Sequence, residues 1–402
     1  MISVDEALGR IFAALPRLGT ETVALSAARG RVLAEPLRAN HTQPPFDASA
    51  MDGYAVRAAD VDPARALTLA GTSQAGARFV GLMDRGQCVR IFTGAPLPIG
   101  ADAVIMQEEA TAKGNRITFS TLPKPGQNIR RQGHDYARGD ALIAAGTALT
   151  PAMLALAASA NNPTLTVFRR PRIAVLATGD ELLPPGSVLG PDQIIASNSF
   201  GLIALVSPYA DSVLDLGIAP DVPAMIESKV LSAIDAGVDV IITSGGASVG
   251  DRDYVQEVLK DLGVTLEFWA LRMRPGKPLM FGTRGNTLVF GLPGNPVSAL
   301  VTASVILKPA LRALTGHADP FWPVIGVPIL TGLPPNGPRR HYIRGVMSRN
   351  DIGFLQVTPL SETDSSHASS LARADALIVQ AENDPGLPPG EIVTVIPLTW
   401  SA

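Results

Sequence analysis

Residues 239–263 read DVIITSGGASVGDRDYVQEVLKDLG. The opening apolar run is rich in β-branched residues and has the composition of a buried strand. From Tyr254 the apolar residues recur at helical spacing. Between strand and helix stand Gly245, Gly246 and Gly250, with Asp251 and Asp253 just before the helix. Glycine at a strand end lets backbone approach a ligand, and unpaired N–H groups there can hold an anion. A phosphate loop of the G-x-x-x-x-G-K-[ST] kind would add a lysine. This one offers aspartates, which argues against an ordinary P-loop ATPase.

The same alternation recurs on both sides of that stretch. RIAVLAT, SVLDLGIA, DVIITS and TLVFGL read as strands. SNSFGLIALVSPY, VPAMIESKVLSAID, the segment after Tyr254 and PVSALVTASVILKPALRAL read as helices. A β-α-β-α order predicts a parallel sheet with helices on both faces, and ligands outside the carboxyl ends of its strands. After about residue 316, PVIGVPIL, RRHYIRGVMS, FLQVTPL, ALIVQAE and EIVTVIPL predict a small β domain. Short β-like segments between residues 53 and 130 predict a β-rich module. Residues 1–38 predict two helices, VDEALGRIFAAL and one around SAARGRVLAEPL. TALTPAMLALAASA predicts another, with Thr150 as N-cap and Pro151 at the first helical position. The expected organisation is multidomain α/β plus β. It has a discontinuous elongated first domain (1–41 and 132–171), a β-rich insert (42–131), a central parallel or mixed-sheet α/β domain (172–316) and a carboxyl-terminal β domain (317–402).

Composition narrows the partners. In 402 residues, hydrophobic side chains make up 46% and charged ones 17%, a globular balance. Thirty-three Lys and Arg against 36 acids give a net charge of −3, no footprint for nucleic acid. Any anion must therefore be held by local groups. The lone Cys88 rules out an internal disulfide and reads as a small buried hydrophobe. No signal peptide is evident, and the longest apolar stretches are broken by Gly, Pro or charge before the ~20 residues a membrane span needs. The expected location is the cytoplasm.

Three strand ends of the α/β domain carry chemistry: ATGDELLPPG, the glycine-aspartate loop, and GLPGNPVSAL. In the last, Gly291 and Gly294 permit close backbone approach, Asn295 is placed to cap the helix and Pro296 to begin it. A single such loop is more often a turn, but three on one sheet edge favour a binding site. Asp180 and Glu181 follow the first strand. Carboxylates beside an anion site suit Mg²⁺, which bridges phosphate oxygens. LRMRPGKPL sets Arg272, Arg274 and Lys277 on a proline-stiffened turn suited to an oxyanion. In the insert, Asp47 and Asp52 fall on a loop and Thr93 with Gly94 at a strand end, with Glu108 and Glu109 further on; Asp and Gly in turns are ordinary. Lys124, Arg130, Arg131, His134 and Asp135 follow, and His134 is read as structural or surface and not as a metal ligand.

Taken together, PPFDASAMDGYAV, FTGAPLPIGADAV, NIRRQGHD, LATGDEL, TSGGASVGDRDY, RPGKP and GLPGNPVSA resemble the MoeA family of molybdopterin molybdenumtransferases, shared with the carboxyl-terminal domain of gephyrin. The resemblance runs from about residue 3 to about residue 398. It implies a molybdopterin-binding α/β domain and two substrates, adenylylated molybdopterin and molybdate, with AMP released and molybdenum cofactor formed. It implies catalytic positions at Asp52, Thr93, Glu181, Asp221 and Asp253. Substrate-binding positions are Gly245, Gly246, Ser248, Gly250, Arg274, Lys277, Pro293, Gly294, Asn295 and Pro296, and Asp251 and Asp253 would hold Mg²⁺. It also implies a homodimer in which the insert of one subunit approaches the other's α/β domain. Molybdopterin adenylyltransferase and molybdoenzyme chaperones would be further partners. Arg274 stands where relatives often carry lysine, and Ala270 where some carry another, so the cationic set for molybdate differs. Two rivals are the adenylyltransferase of the preceding step, whose fold is the α/β domain alone, and a non-catalytic dimeric scaffold.

Overall fold

The computed structural model describes residues 1–246, 254–321, 323–362 and 364–398. In the central sheet, Ser212–Ala219, Arg172–Thr178, Val240–Ser244 and Thr287–Leu292 lie side by side and parallel. Pro278–Arg284 and Thr265–Ala270 extend it antiparallel, so the sheet is mixed. Their connection is the cationic turn, too short to cross over and therefore obliged to reverse direction. Register aligns the strand ends: Ala177 lies opposite Ser244, and Ser244 opposite Leu292.

Alternate side chains of these strands feed two cores. Ile173, Val175, Val240 and Ile242 pack with Leu202, Val206, Val301 and Ile306 on one face. Ala174, Leu176 and Ile241 pack with Ile226, Val230, Val258 and Leu259 on the other. Pro296–Leu314 forms a continuous 19-residue helix through a π-helical middle, Ala303–Leu307. It is long and apolar enough to cross a membrane, contrary to the sequence expectation, but 78% of its apolar window is buried inside the fold. Such burial marks a core helix.

At the amino terminus, Ser3 Oγ accepts from the Glu6 N–H at 3.1 Å and starts the helix Val4–Ala14. The second helix expected around residues 26–37 does not form. Only a 3₁₀ turn, Leu25–Ala27, is present; Gly30 takes φ 68°, and Leu37–Arg38 pairs with Ala141–Ile143. Tertiary pairing there overrides helical spacing. Thr20–Ala24 pairs with Thr164–Phe168, joining the chain before the insert to the chain after it. The helix Pro151–Ser159 begins as expected, Thr150 Oγ1 accepting from the Met153 N–H at 3.3 Å.

The insert is a six-stranded sheet whose centre is Gly53–Val56, Gln87–Ile91 and Leu67–Ser73. The carboxyl-terminal sheet is built on Arg340–Arg349, Ala376–Gln380 and Ile392–Pro397. Met273–Arg274, just before Pro275, pairs with Arg340–His341 and hooks the cationic turn to that sheet. A helix not anticipated from sequence, Ala368–Arg373, also belongs to this region.

Candidate active site

Because the strand ends are in register, their loops open together onto a cleft of about 670 Å³. Glu181, Asp221, Gly245, Gly246 and Pro293–Pro296 line it, with Asn198 and Ser366. Gly245 and Gly246 have φ of 99° and 61°, the left-handed region that favours glycine. A Cβ on Gly245 would also run into the Thr178 carbonyl, so the backbone there reaches the cleft bare. Asn198 Nδ2 donates to Ser244 Oγ at 2.9 Å and to the Gly294 carbonyl at 2.7 Å, tying two of the loops. The Asp221 N–H donates to Asp180 Oδ1 at 2.9 Å and ties two more. Glu181 folds back over Gly179, where a Cβ would lie 2.5 Å from Glu181 Oε2.

The start of the helix at Pro296 differs from the expectation. Asn295 sits at the N-cap position but makes no cap; its Nδ2 donates to Ser365 Oγ at 3.1 Å. The Val297 N–H, one of the groups expected to face an anion, donates to the Ser365 carbonyl at 3.1 Å. A loop of the carboxyl-terminal domain thus docks on the helix start, and Ser366 beside it lines the cleft. Arg344 holds that loop. It is 5% exposed and donates to the carbonyls of Glu362, Asp364 (3.1 Å) and His367 (3.4 Å), and to Ser370 Oγ at 2.6 Å. Burial holds its pKa below the ordinary guanidinium value. Sequence reasoning missed Arg344, since an arginine in an alternating strand reads as solvent-facing. His341 has its pKa pushed down to about 4, first by burial and then by Arg274, Arg339 and Arg344, so it is neutral at pH 7.

Arg274 and Lys277 are exposed at the edge of this region, and of their turn Pro278 reaches the cleft lining. The turn is fixed by a bond from the Leu271 N–H to the Lys277 carbonyl at 2.8 Å. Gly276, at φ 99°, packs so closely on Thr302 that a Cβ would overlap its hydroxyl.

Asp52 and Thr93 are brought together on the insert, away from the cleft lining of their own chain. The Thr93 N–H and Oγ1–H both donate to Asp52 Oδ1 at 2.7 Å. Those bonds, the backbone one foremost, hold the Asp52 carboxyl below the usual carboxylate range, and the charge of Arg90 adds to them. Beside the pair, Phe46, Gly94, Arg130, His134 and Asp135 border a second cavity of about 500 Å³. Ser248, Gly250, Asp251 and Asp253 lie outside the described residues. Among the described residues no group of three or more His, Cys, Asp or Glu is placed to hold a metal ion. Cys88 is fully buried and its thiol is pushed up to about 12, as suits a packing residue.

Residues 2–161 match the MoeA N-terminal region (domain I and II), residues 174–313 a probable molybdopterin binding domain, and residues 327–398 the MoeA C-terminal region (domain IV). The chain is 38% identical over 400 residues to a molybdopterin molybdenumtransferase of Haemophilus influenzae, covering 99% of this chain and 98% of that one. It is 33% identical to the molybdopterin molybdenumtransferase of Bacillus subtilis, covering 98% of this chain and 94% of that one. The crystal structure of a molybdopterin biosynthesis MoeA protein from Pyrococcus horikoshii OT3 matches with a TM-score of 0.84 at 28% identity, covering 99% of this chain and 100% of that one.

Proposed function

The chain belongs to the molybdopterin molybdenumtransferase family, and we propose that it inserts molybdate into adenylylated molybdopterin, releasing AMP and yielding molybdenum cofactor. The observation that carries this reading is the cleft itself. Bare backbone at Gly245 and Gly246 stands beside the carboxylates of Glu181 and Asp221, at the carboxyl edge of a parallel sheet. The Gly245 N–H is held by the Leu292 carbonyl at 3.2 Å, so of the two glycines Gly246 has the N–H that suits the phosphoanhydride, and Pro293–Pro296 with Asn198 border the space for the pterin. Arg274 and Lys277 offer the cationic edge for molybdate, a doubly charged oxyanion that a chain of net charge −3 does not concentrate by its overall field.

The donor chemistry of the cleft fits Mg²⁺: Glu181 and Asp221 are hard oxygen ligands, and this ion commonly takes one or two carboxylates plus substrate phosphates. Asp251 and Asp253 would complete the set. Bound there, Mg²⁺ supplies neutralisation of charge on the anhydride oxygens. Asp52 and Thr93 act from a partner subunit in a homodimer, a reading supported by their absence from the cleft lining of their own chain. The labour divides between the elongated first domain (1–41 and 132–171), the insert (42–131), the α/β domain (172–316) and the carboxyl-terminal domain (317–402). The reaction belongs to the cytoplasm, where molybdopterin adenylyltransferase would hand over substrate and molybdoenzyme chaperones would accept product.

The rival adenylyltransferase reading leaves residues 2–161 and 327–398 without a purpose, and the carboxylates of the cleft favour catalysis over a scaffold. The test is reconstitution. A molybdenum-free apo-molybdoenzyme given adenylylated molybdopterin and micromolar molybdate should gain activity when this protein is added. Equal activation without the protein would reject the proposal.

A further inference from the structure

Arg90 lies in the strand Gln87–Ile91, directly across from Tyr54. Its guanidinium carbon is 5.1 Å from the centre of the Tyr54 ring and 4.9 Å from that of Phe92. One terminal nitrogen donates to the Gly53 carbonyl at 3.1 Å, the other to Gln107 Oε1 at 2.6 Å. The Gln107 N–H in turn donates to the Asp52 carbonyl at 3.1 Å. Both peptide units that follow the Asp52 side chain are therefore gripped, one through Gln107 and one by Arg90 itself. On the other side, the stack on Phe92 fixes the residue just before Thr93. Gly53 is packed too closely for any side chain, since a Cβ there would overlap the Ile105 carbonyl. All three anchors, Gly53, Gln107 and Phe92, adjoin the two residues that share the 2.7 Å bonds.

We infer that Arg90 is a positioning residue for the Asp52–Thr93 pair, acting through Gly53, Gln107 and Phe92 and not on substrate. The inference rests on the role proposed above for that pair. A planar fork that donates at two places while lying over two rings is specific to guanidinium; an ammonium at the same place loses the fork and weakens the ring contacts. Arg90→Lys is consequently no conservative change.

The experiment uses the full-length protein with ¹³C-carboxyl-labelled aspartate. The Asp52 carboxyl is titrated by NMR in the wild type, Arg90→Lys, Arg90→Met and the milder Phe92→Leu, and kcat and KM for AMP release are measured on each. In both Arg90 variants the Asp52 midpoint should rise toward the ordinary aspartate value. Their kcat should fall about tenfold or more, the loss of roughly one well-oriented contact in the transition state, with KM nearly unchanged. Phe92→Leu should move both quantities in the same direction by less, and serves if the Arg90 variants fold poorly. A wild-type titration and wild-type kcat in Arg90→Lys or Phe92→Leu would overturn the inference. Asp52→Asn is measured alongside: wild-type kcat there rejects the catalytic reading of Asp52, while the titration still decides for or against Arg90.

Discussion

Thr93 donates to Asp52 twice, by backbone and by hydroxyl, and both bonds favour its charged form. The hydroxyl bond can be removed alone. With a pKa depressed by these bonds, the carboxylate is present at all higher pH and is lost as pH falls through the folded value. Thr93→Ala should therefore raise the pH at which AMP release fails on the acid side and leave the alkaline side in place; an unchanged acid limb in a kcat–pH profile would remove Asp52 from the reaction. Lys277 tests a different contact. A hydrogen bond to a charged partner contributes about 1.5–3 kcal/mol, so Lys277→Ala should raise the molybdate requirement by roughly one to two orders of magnitude. Binding of adenylylated molybdopterin should stay close to wild type. The opposite pattern, weak pterin binding with an unchanged molybdate requirement, would assign the turn to the pterin phosphate.

The loop that docks on the helix start at Pro296 is built around one buried cation. Replacing Arg344 by Met keeps apolar bulk but removes the donor to the Glu362 carbonyl, while the Asp364 carbonyl keeps the His367 N–H and the His367 carbonyl keeps the Ser370 N–H and Oγ–H. A polar group cut off from its donor costs about 1–3 kcal/mol, so Arg344→Met should lower denaturant stability by about that amount and weaken substrate binding in the cleft that Ser366 lines. Wild-type stability with wild-type binding would mean that the loop needs no anchor. This loop also marks where the sequence ceased to be readable. The alternation from residue 172 placed the four parallel strands and their helices, because apolar strand and amphipathic helix have distinct periods. Gly245, Gly246, Pro293 and Gly294 were legible for the same reason: glycine and proline at strand ends state their backbone geometry. What Asn295 would bond to was not legible, since Ser365 stands 70 positions away and its approach depends on how two domains pack. The missing helix at residues 26–37 failed likewise, through long-range pairing of Leu33 with Val167. The cationic turn was recognised, but its flanking antiparallel strands were not: register shifts interrupt their pairing, and the second begins at Pro278.

Among the described residues, eight of the expected site residues border the α/β cleft, Arg274 and Lys277 stand at its edge, and Asp52 and Thr93 sit apart on the insert. The homodimer with shared sites proposed above would bring the cleft and that pair together. Mixing inactive Asp52→Ala with inactive Glu181→Ala protein under subunit exchange should restore activity, because mixed dimers hold one intact site. No recovery despite verified exchange would place both residues in one subunit's site. The claim beneath all of these is the reaction. Its most direct measurement is AMP released from adenylylated molybdopterin by the purified protein, with Mg²⁺, with and without molybdate, scored together with molybdenum retained on the pterin. The account predicts AMP and bound molybdenum rising together in equal amounts with the wild type, and neither with Glu181→Ala. AMP release without any molybdenum on the pterin, or equal release by both proteins, would contradict it.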